Sequence, residues 1–520
     1  MNLIKTCAAV VCLCSLSVGN LKSQTTILTI DRQAVQQTMH SFGASDAWRA
    51  QFVGKNWPLA KREAIADLFF SKEFDKKGNP KGIGLSLWRF NIGAGSVEQG
   101  DSSQIVQEWR RTECFLDKNG NYNWNKQEGQ RWFLEAARKR GVEKTLGFLN
   151  SAPQFFTKNG LAKATKDVYI NLQPDKYNDF ARFIVEVCNQ LKFDYISPIN
   201  EPQWDWTGNS QEGSPATNEE ASILIHNINN ELQKSKSNCK IAFGEAGDIQ
   251  YLYKQNTIKP QRDNQIEEVF SKDGSFSISH LPTVQKSVLG HSYWSVWDVN
   301  NLIAQRKALR EKMLQVPDFD YWQSEYCIME KNDDIGGGPG RDLTINTALY
   351  VARIIHFDLT ITNAASWQWW TALSEGDYKD GLIYLDPTEA DRNTSNACKN
   401  DGEFHTSKLF WALGNYSLFV RPGMKRLQVS RNDNLQEVDE AKGLMTSAYF
   451  DEAKNKLVVV MINYSNDNKP VSVNPVNFSS NKSKKFKVYE TSQASDLYCK
   501  GFVKGKYNVP ARSIVTFVEE

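Results

Sequence analysis

From residue 40 to about residue 412, short β-rich runs alternate with longer stretches whose apolar residues recur at intervals of three and four. Eight runs can be counted: 41–48 (SFGASDAW), 82–93 (GIGLSLWRFNIG), 145–153 (TLGFLNSAP), 195–202 (YISPINEP), 240–247 (KIAFGEAG), 288–294 (VLGHSYW), 319–326 (FDYWQSEY) and 365–370 (ASWQWW). Between them, segments such as 127–140, 175–192, 219–235 and 301–315 have helical period, with Asp175 and Asn218 as expected N-caps. Strand then helix, eight times over, predicts an α/β chain whose parallel strands close into a (β/α)8 TIM barrel spanning residues 40–412. An open doubly wound sheet is the alternative. It fits less well, because no G-x-G-x-x-G or P-loop follows the first run and polar and aromatic residues gather at the ends of nearly all the runs. In a barrel those ends converge on one face.

Beyond residue 412 the pattern changes to short alternating strands at 443–450, 456–465, 469–478, 484–492 and 512–519, separated by turn signals such as Ser465-Asn466-Asp467-Asn468. That spacing predicts a side-attached antiparallel β-sandwich over 413–520. The segment TTILTID (25–31) alternates in the same way and has no barrel position, so residues 20–39 are expected to supply a strand to the sandwich. All 15 tryptophans lie between Trp48 and Trp411, which sharpens the boundary. Ten of them (Trp48, Trp88, Trp204, Trp206, Trp294, Trp297, Trp322, Trp367, Trp369, Trp370) fall in or just beyond the barrel runs and are expected to form an aromatic face there. The other five (Trp57, Trp109, Trp124, Trp132, Trp411) are expected to pack helices and loops.

Composition removes several function classes. With 62 Lys+Arg against 60 Asp+Glu and no blocks of like charge, the chain has no electrostatic footprint for nucleic acid or an anionic membrane. A mean hydropathy of -0.52, with no long apolar run after residue 19, excludes a polytopic membrane protein. Residues 1–19 read as a secretory signal peptide, with Lys5, an apolar run from Cys7 to Leu16 and small residues at Ser17 and Gly19. A secreted, periplasmic or cell-surface location follows, without membrane insertion, and a monomer is expected. Cys114, Cys188, Cys239, Cys327, Cys398 and Cys499 remain after cleavage, too widely spaced for a metal knuckle and too sparse for a disulfide scaffold. The histidines are likewise scattered, and no metal or cofactor is expected.

Two runs end in a glutamate with distinctive neighbours: Asn200-Glu201-Pro202 after the fourth, and Gln323-Ser324-Glu325-Tyr326 at the seventh. Carboxylates on facing strands at the C-terminal end of a barrel suit glycosidic bond cleavage, in which one protonates the leaving oxygen and the other attacks or stabilises the oxocarbenium-like centre. A barrel that binds glycan without cleaving it is the alternative of a different class, but it would have no need of both.

These residues resemble glycoside hydrolase family 30, a group of retaining enzymes that includes glucosylceramidases, β-1,6-glucanases, endo-β-1,6-galactanases and glucuronoxylanases. The likeness includes Ser41-Phe42-Gly43-Ala44-Ser45, Asn200-Glu201-Pro202, Gly290-His291-Ser292-Tyr293, Ser324-Glu325, the Trp-rich eighth run and Pro510-Ala511-Arg512-Ser513. The resemblance implies Glu201 as acid/base and Glu325 as nucleophile, with Asn200 on the sugar 2-hydroxyl and Arg89, His291 and Tyr293 near the nucleophile. It further implies Trp369 beneath the sugar being cleaved, with Trp370 facing away by strand alternation, and Asp46, with Trp48 beyond it, on remote hydroxyls. Trp204 and Trp206 suggest a leaving-group subsite, and Glu245 a hydrogen-bonding carboxylate. The substrate expected is a polysaccharide or oligosaccharide cut internally, with β-1,6-galactan favoured. A β-1,6-glucan, xylan or glucosylceramide-like substrate remains open.

Overall fold

A computed structural model describes residues 25–165, 168–255, 259–478 and 485–520. The expected signal peptide, 1–19, lies outside the described residues. Eight parallel strands close into a barrel: β1 (Ser41–Ser45), β2 (Leu87–Ile92), β3 (Lys144–Leu149), β4 (Tyr195–Ser197), β5 (Lys240–Ala246), β6 (Val284–His291), β7 (Asp320–Glu325) and β8 (Ala364–Trp369). Closure is made by β8 on β1, where Ser41 lies opposite Ser366 and Ala44 opposite Trp369.

The barrel is a packed core rather than a pore. Leu87, Leu146, Tyr195, Ala242, Leu289, Trp322 and Ala365, one from each of β2 to β8, form a closed apolar cluster inside it. His40 stacks on Trp322 at 4.1 Å and bonds the Tyr195 hydroxyl at 3.0 Å, plugging the N-terminal end. The outward faces of the strands pack on amphipathic helices, among them Glu128–Lys139, Tyr177–Leu191, Asn218–Ser235 and Val299–Met313. Two expected caps are corrected. Asp175 falls in a short 3-10 turn, Pro174–Lys176, and makes no cap. Thr217, not Asn218, caps its helix through a reciprocal pair with Glu220, which frees the Asn218 amide to donate to Glu268.

Nine further strands form one continuous sheet in the order 495–503, 486–492, 513–519, 456–463, 444–451, 425–431, 26–38, 469–476, 506–509. Pairing is antiparallel except where Thr26–Asp31 runs parallel to Val471–Val476. Tyr507 meets Phe517 edge-on at 5.7 Å, bringing the last strand of that order over the third. The sheet thus folds across its own core of Leu28, Ile30, Val459, Val471, Val488 and Phe517. Strands 425–431, 495–503 and 506–509 carry many charged or exposed positions and gave no clean alternation in the sequence. The boundary expected after residue 412 falls inside helix Lys408–Ser417, which packs against both the barrel helix Ile345–Thr360 and the sandwich strands. All six described cysteines are free thiols.

Candidate active site

The C-terminal strand ends bring five charged side chains into one buried cluster. Arg89, from β2, donates from Nη1 to Glu325 Oε2, and from Nη2 to Asn200 Oδ1 at 3.0 Å and Glu245 Oε1 at 3.2 Å. His291, at the end of β6, lies between two carboxylates, with Nδ1 2.9 Å from Glu201 Oε1 and Nε2 2.7 Å from Glu245 Oε2. The Tyr293 hydroxyl donates to Glu325 Oε1 at 3.0 Å, and the Ser324 hydroxyl to Glu245 Oε2 at 2.6 Å. Asn200 also donates to Asn150 Oδ1 at 3.2 Å.

Backbone geometry aims the two β4–β5 carboxylates. Glu201 (φ 46°) and Glu245 (φ 40°) both sit in the left-handed region that non-glycine residues seldom occupy. The Glu201 N–H donates to the Glu245 carbonyl at 3.0 Å and the Asn200 N–H to the Leu149 carbonyl at 3.1 Å, so the ladder holds this turn beyond the last residue of β4.

Electrostatics separate the acids. Burial raises the Glu201 carboxyl above its ordinary value and the Glu325 charge adds to this, with His291 opposing both. For Glu245 burial also acts upward, but Arg89 and His291 outweigh it and hold the carboxyl well below the usual range. His291 is the converse: burial acts downward, yet Glu325, Glu201 and Glu245 bring it up to about 10. Both ring nitrogens of His291 are engaged by carboxylates, and the close grouping of Glu201, His291 and Glu325, with ligand-type atoms within 4.8 Å of one another, reads as an acid–base cluster.

Above this floor lies a cavity of about 610 Å³ lined by Asn200, Glu201 and Glu325 and walled by Trp48, Trp109, Trp204, Trp206 and Trp370. Trp206 donates to the Glu201 carbonyl at 3.1 Å. The indoles of Trp206 and Trp204 rest against Gly213 and Gly247, where any side chain would collide with them. Trp48 meets Trp370 edge-on at 5.1 Å.

Several expected positions change. Trp369 is fully buried, its indole donating to the Asp380 carbonyl at 2.7 Å, and Trp370 lines the cavity instead. Because β8 ends at Trp369, strand alternation does not extend to the next residue. Asp46 lies behind the site, where Oδ1 accepts from the Asn91 N–H at 2.8 Å and the Gln130 amide at 3.1 Å. Trp88 packs outward on Phe69 and Phe70, Trp322 fills the barrel, and the Trp367 indole donates to Asp358 at 2.9 Å, so none of these joins the face. Conversely Trp109, expected to pack a helix or loop, is a wall of the cavity, as are Arg110, Gln211, Tyr378 and Asp380. All five come from long β2, β4 and β8 loops without period. The last loop carries a small sheet, Leu373–Ser374, Ile383–Pro387 and Gly402–Thr406, that the sequence did not suggest.

A conserved exported protein from Bacteroides fragilis is 41% identical, covering 95% of this chain and 100% of its own, with a TM-score of 0.89. The catalytic domain of a family 30 xylanase C from Talaromyces cellulolyticus is 17% identical over 95% of this chain and 100% of its own, with a TM-score of 0.65. An endo-β1,6-glucanase, also 17% identical, covers 96% of this chain and 94% of its own at a TM-score of 0.66. These last two show the shared fold. The model of O-glycosyl hydrolase family 30 matches residues 25–384, well over half the sequence, and the chain belongs to that family of glycoside hydrolases.

Proposed function

We propose that the protein is an exported, retaining, endo-acting β-glycosidase with Glu325 as nucleophile and Glu201 as acid/base. The observation that carries this is spacing: carboxylate oxygens of Glu201 and Glu325 lie within 4.8 Å of each other. Retaining pairs stand about 5 to 5.5 Å apart, whereas inverting pairs need roughly 6.5 to 9.5 Å to admit a water. Glu325 attacks the anomeric carbon as the glycosidic C–O bond breaks, and Glu201 delivers its proton to the departing oxygen. Water, deprotonated by Glu201, then displaces Glu325 from the glycosyl-enzyme.

The cluster supports both halves of this cycle. With Glu201 protonated, the cations Arg89 and His291 are balanced by Glu245 and Glu325. Once Glu325 is esterified, Glu201 takes over its share of the negative charge, so the buried site need not change its net charge. His291 occupies one oxygen of Glu201 and leaves the other to carry the proton. Asn200, which bonds Arg89 and Asn150, is assigned to the sugar 2-hydroxyl.

Trp204 and Trp206, immediately after the acid/base, support binding of sugar beyond the leaving oxygen, which suits internal cleavage. The favoured substrate is β-1,6-galactan, on the sequence resemblance to endo-β-1,6-galactanases. Export is supported by the composition of residues 1–19 and by the description of the Bacteroides relative as exported. The test is a panel of β-1,6-galactan, β-1,6-glucan, glucuronoxylan and an aryl glycoside, with product sizes resolved by chromatography and first-formed anomers by proton NMR. Internal cleavage of galactan with β products is expected. Preference for another glycan overturns the substrate, and α products overturn the mechanism.

A further inference from the structure

The strand that carries His291 stops short of Tyr293. β6 ends at His291, and Trp294, half-exposed, has φ 60°, so the pleat that aims alternate side chains has been left where the tyrosine stands. Tyr293 is nevertheless buried, with its hydroxyl 3.0 Å from Glu325 Oε1. The rings of His291 and Tyr326, each centred 5.8 Å away, pack on its own ring but do not hold the backbone on either side of it.

That backbone is gripped from behind by a buried ion pair. Arg306, on helix Val299–Met313, donates from Nη1 to the Ser295 carbonyl at 2.6 Å and to the Ser295 hydroxyl at 3.0 Å, and this hydroxyl donates to the Ser292 carbonyl at 2.8 Å. Arg306 Nε donates to Oδ1 of Asp358, on helix Ile345–Thr360, at 2.9 Å. The other oxygen of Asp358 accepts from the Trp367 indole of β8 at 2.9 Å and from the Ser292 hydroxyl at 3.4 Å. Arg306, Asp358, Ser292 and Ser295 are all buried. Apolar residues of like volume often stabilise a helix–helix seam at least as well as a buried ion pair. They cannot supply hydrogen bonds to Ser292 and Ser295, the two residues that bracket Tyr293.

We infer that the Arg306–Asp358 pair is a positioning device for the reaction: by fixing Ser292 and Ser295 it sets the Tyr293 hydroxyl on Glu325, although neither residue lines the cavity. This rests on the reading of Glu325 as nucleophile. A fixed donor on one carboxylate oxygen keeps the other aimed at the anomeric carbon, and a misplacement of about 1 Å costs on the order of a hundredfold in rate.

The test measures kcat and KM, well below each Tm, on whichever glycan of the panel is cut. The variants are Asp358→Asn, Ser295→Ala and Tyr293→Phe, with each of the first two also combined with the third. Ser295→Ala leaves the ion pair intact and serves where Asp358→Asn does not fold. Asp358→Asn is expected to lower kcat roughly ten- to a hundredfold and Ser295→Ala about threefold or more, with KM changed less than about twofold. Each double variant should lose no more than Tyr293→Phe alone, because nothing is left to position. Losses that multiply, or an unchanged kcat in the folded single variants, overturn the inference. Arg426→Gln removes another buried arginine, one bonded to Gln37 and Asn363 beside the sandwich, and controls for general loosening. It should lower Tm and spare kcat; an equal loss of kcat there also overturns the inference. Turnover that survives in Glu325→Gln, or is absent from the wild type on every glycan, defeats the nucleophile reading and the positioning with it. An inactive Glu325→Gln beside fully active Asp358→Asn and Ser295→Ala defeats the positioning alone.

Discussion

The floor and the rim of the cavity are built on different principles. The floor is charged, buried and fixed by strand ends: Arg89, Glu245, His291, Glu325 and Glu201 bond one another within a closed barrel. The rim is aromatic and fixed by loops, with Trp48, Trp109, Trp204, Trp206 and Trp370 arriving from four separate connections. A floor of this kind can orient protons and charge, because its groups cannot relax without leaving a buried ion unpaired. The rim offers surface for sugar rings and can change sequence without disturbing the chemistry. Substitutions on the floor should therefore act on turnover and on pH dependence, and those on the rim on substrate binding.

The largest effect tests the floor directly. Glu325→Gln should lower kcat by about a thousandfold or more, as loss of a covalent nucleophile does, while calorimetry still registers oligosaccharide binding. Retention of substantial turnover would remove Glu325 from its role. Glu201→Ala should cost about a hundredfold to ten-thousandfold on glycan and far less on an aryl glycoside whose leaving group needs no proton. Equal losses on both substrates would show that Glu201 is not the acid.

Glu245 tests whether the floor acts as a unit, since it accepts from Arg89, His291 and Ser324 without facing the cavity. Glu245→Gln removes a negative charge beside His291 and Glu201, which makes Glu201 release its proton at lower pH. The alkaline limb of kcat/KM should shift toward acid, with kcat down by about tenfold or more. An unshifted limb in a folded variant would reduce Glu245 to packing.

At the rim the contrast lies between neighbours. Trp370→Ala should raise KM roughly two- to tenfold, the worth of one aromatic contact, and leave kcat nearly intact. Trp369→Ala should destabilise the fold by about 3 to 5 kcal/mol, as loss of a buried indole does, with a much smaller change in KM. Reversal of those two outcomes would restore the assignment that strand alternation suggested.

The same division explains what could be read in the sequence. Arg89, His291 and Glu325 lie on, and Glu201 just after, strands whose period and order were visible, and a parallel barrel sends such ends to one face. Trp369 and Trp370 mark the limit, because alternation orients side chains only while the chain remains in the pleat. Trp109 and Arg110 sit in a loop that runs from the end of β2 to the helix at Glu128, where no period exists to place them. In the sandwich, strand Ser495–Val503 exposes Tyr498 and Phe502, and so hides the pattern that burial would otherwise print on a strand.

Asp46 belongs to neither region, and its predicted effect is the smallest on activity. Burial raises its carboxyl from 3.8 to about 8, opposed by hydrogen bonds from the Asn91 N–H and the Gln130 amide. Between these values the folded protein keeps a proton that the unfolded chain releases. The folded state then binds more protons than the unfolded one, so this group makes stability fall as pH rises from about 4 to about 8 and adds no further slope above. A carboxamide at this position does not titrate and carries no such slope. Relative to wild type, Asp46→Asn should therefore gain thermal stability progressively from about pH 5 to about pH 8, with turnover little altered because the carboxyl does not line the cavity. A difference in Tm that stays constant across that range would show that Asp46 is ionised in the folded protein. A large loss of turnover would return it to the sugar-binding role that the sequence resemblance implied.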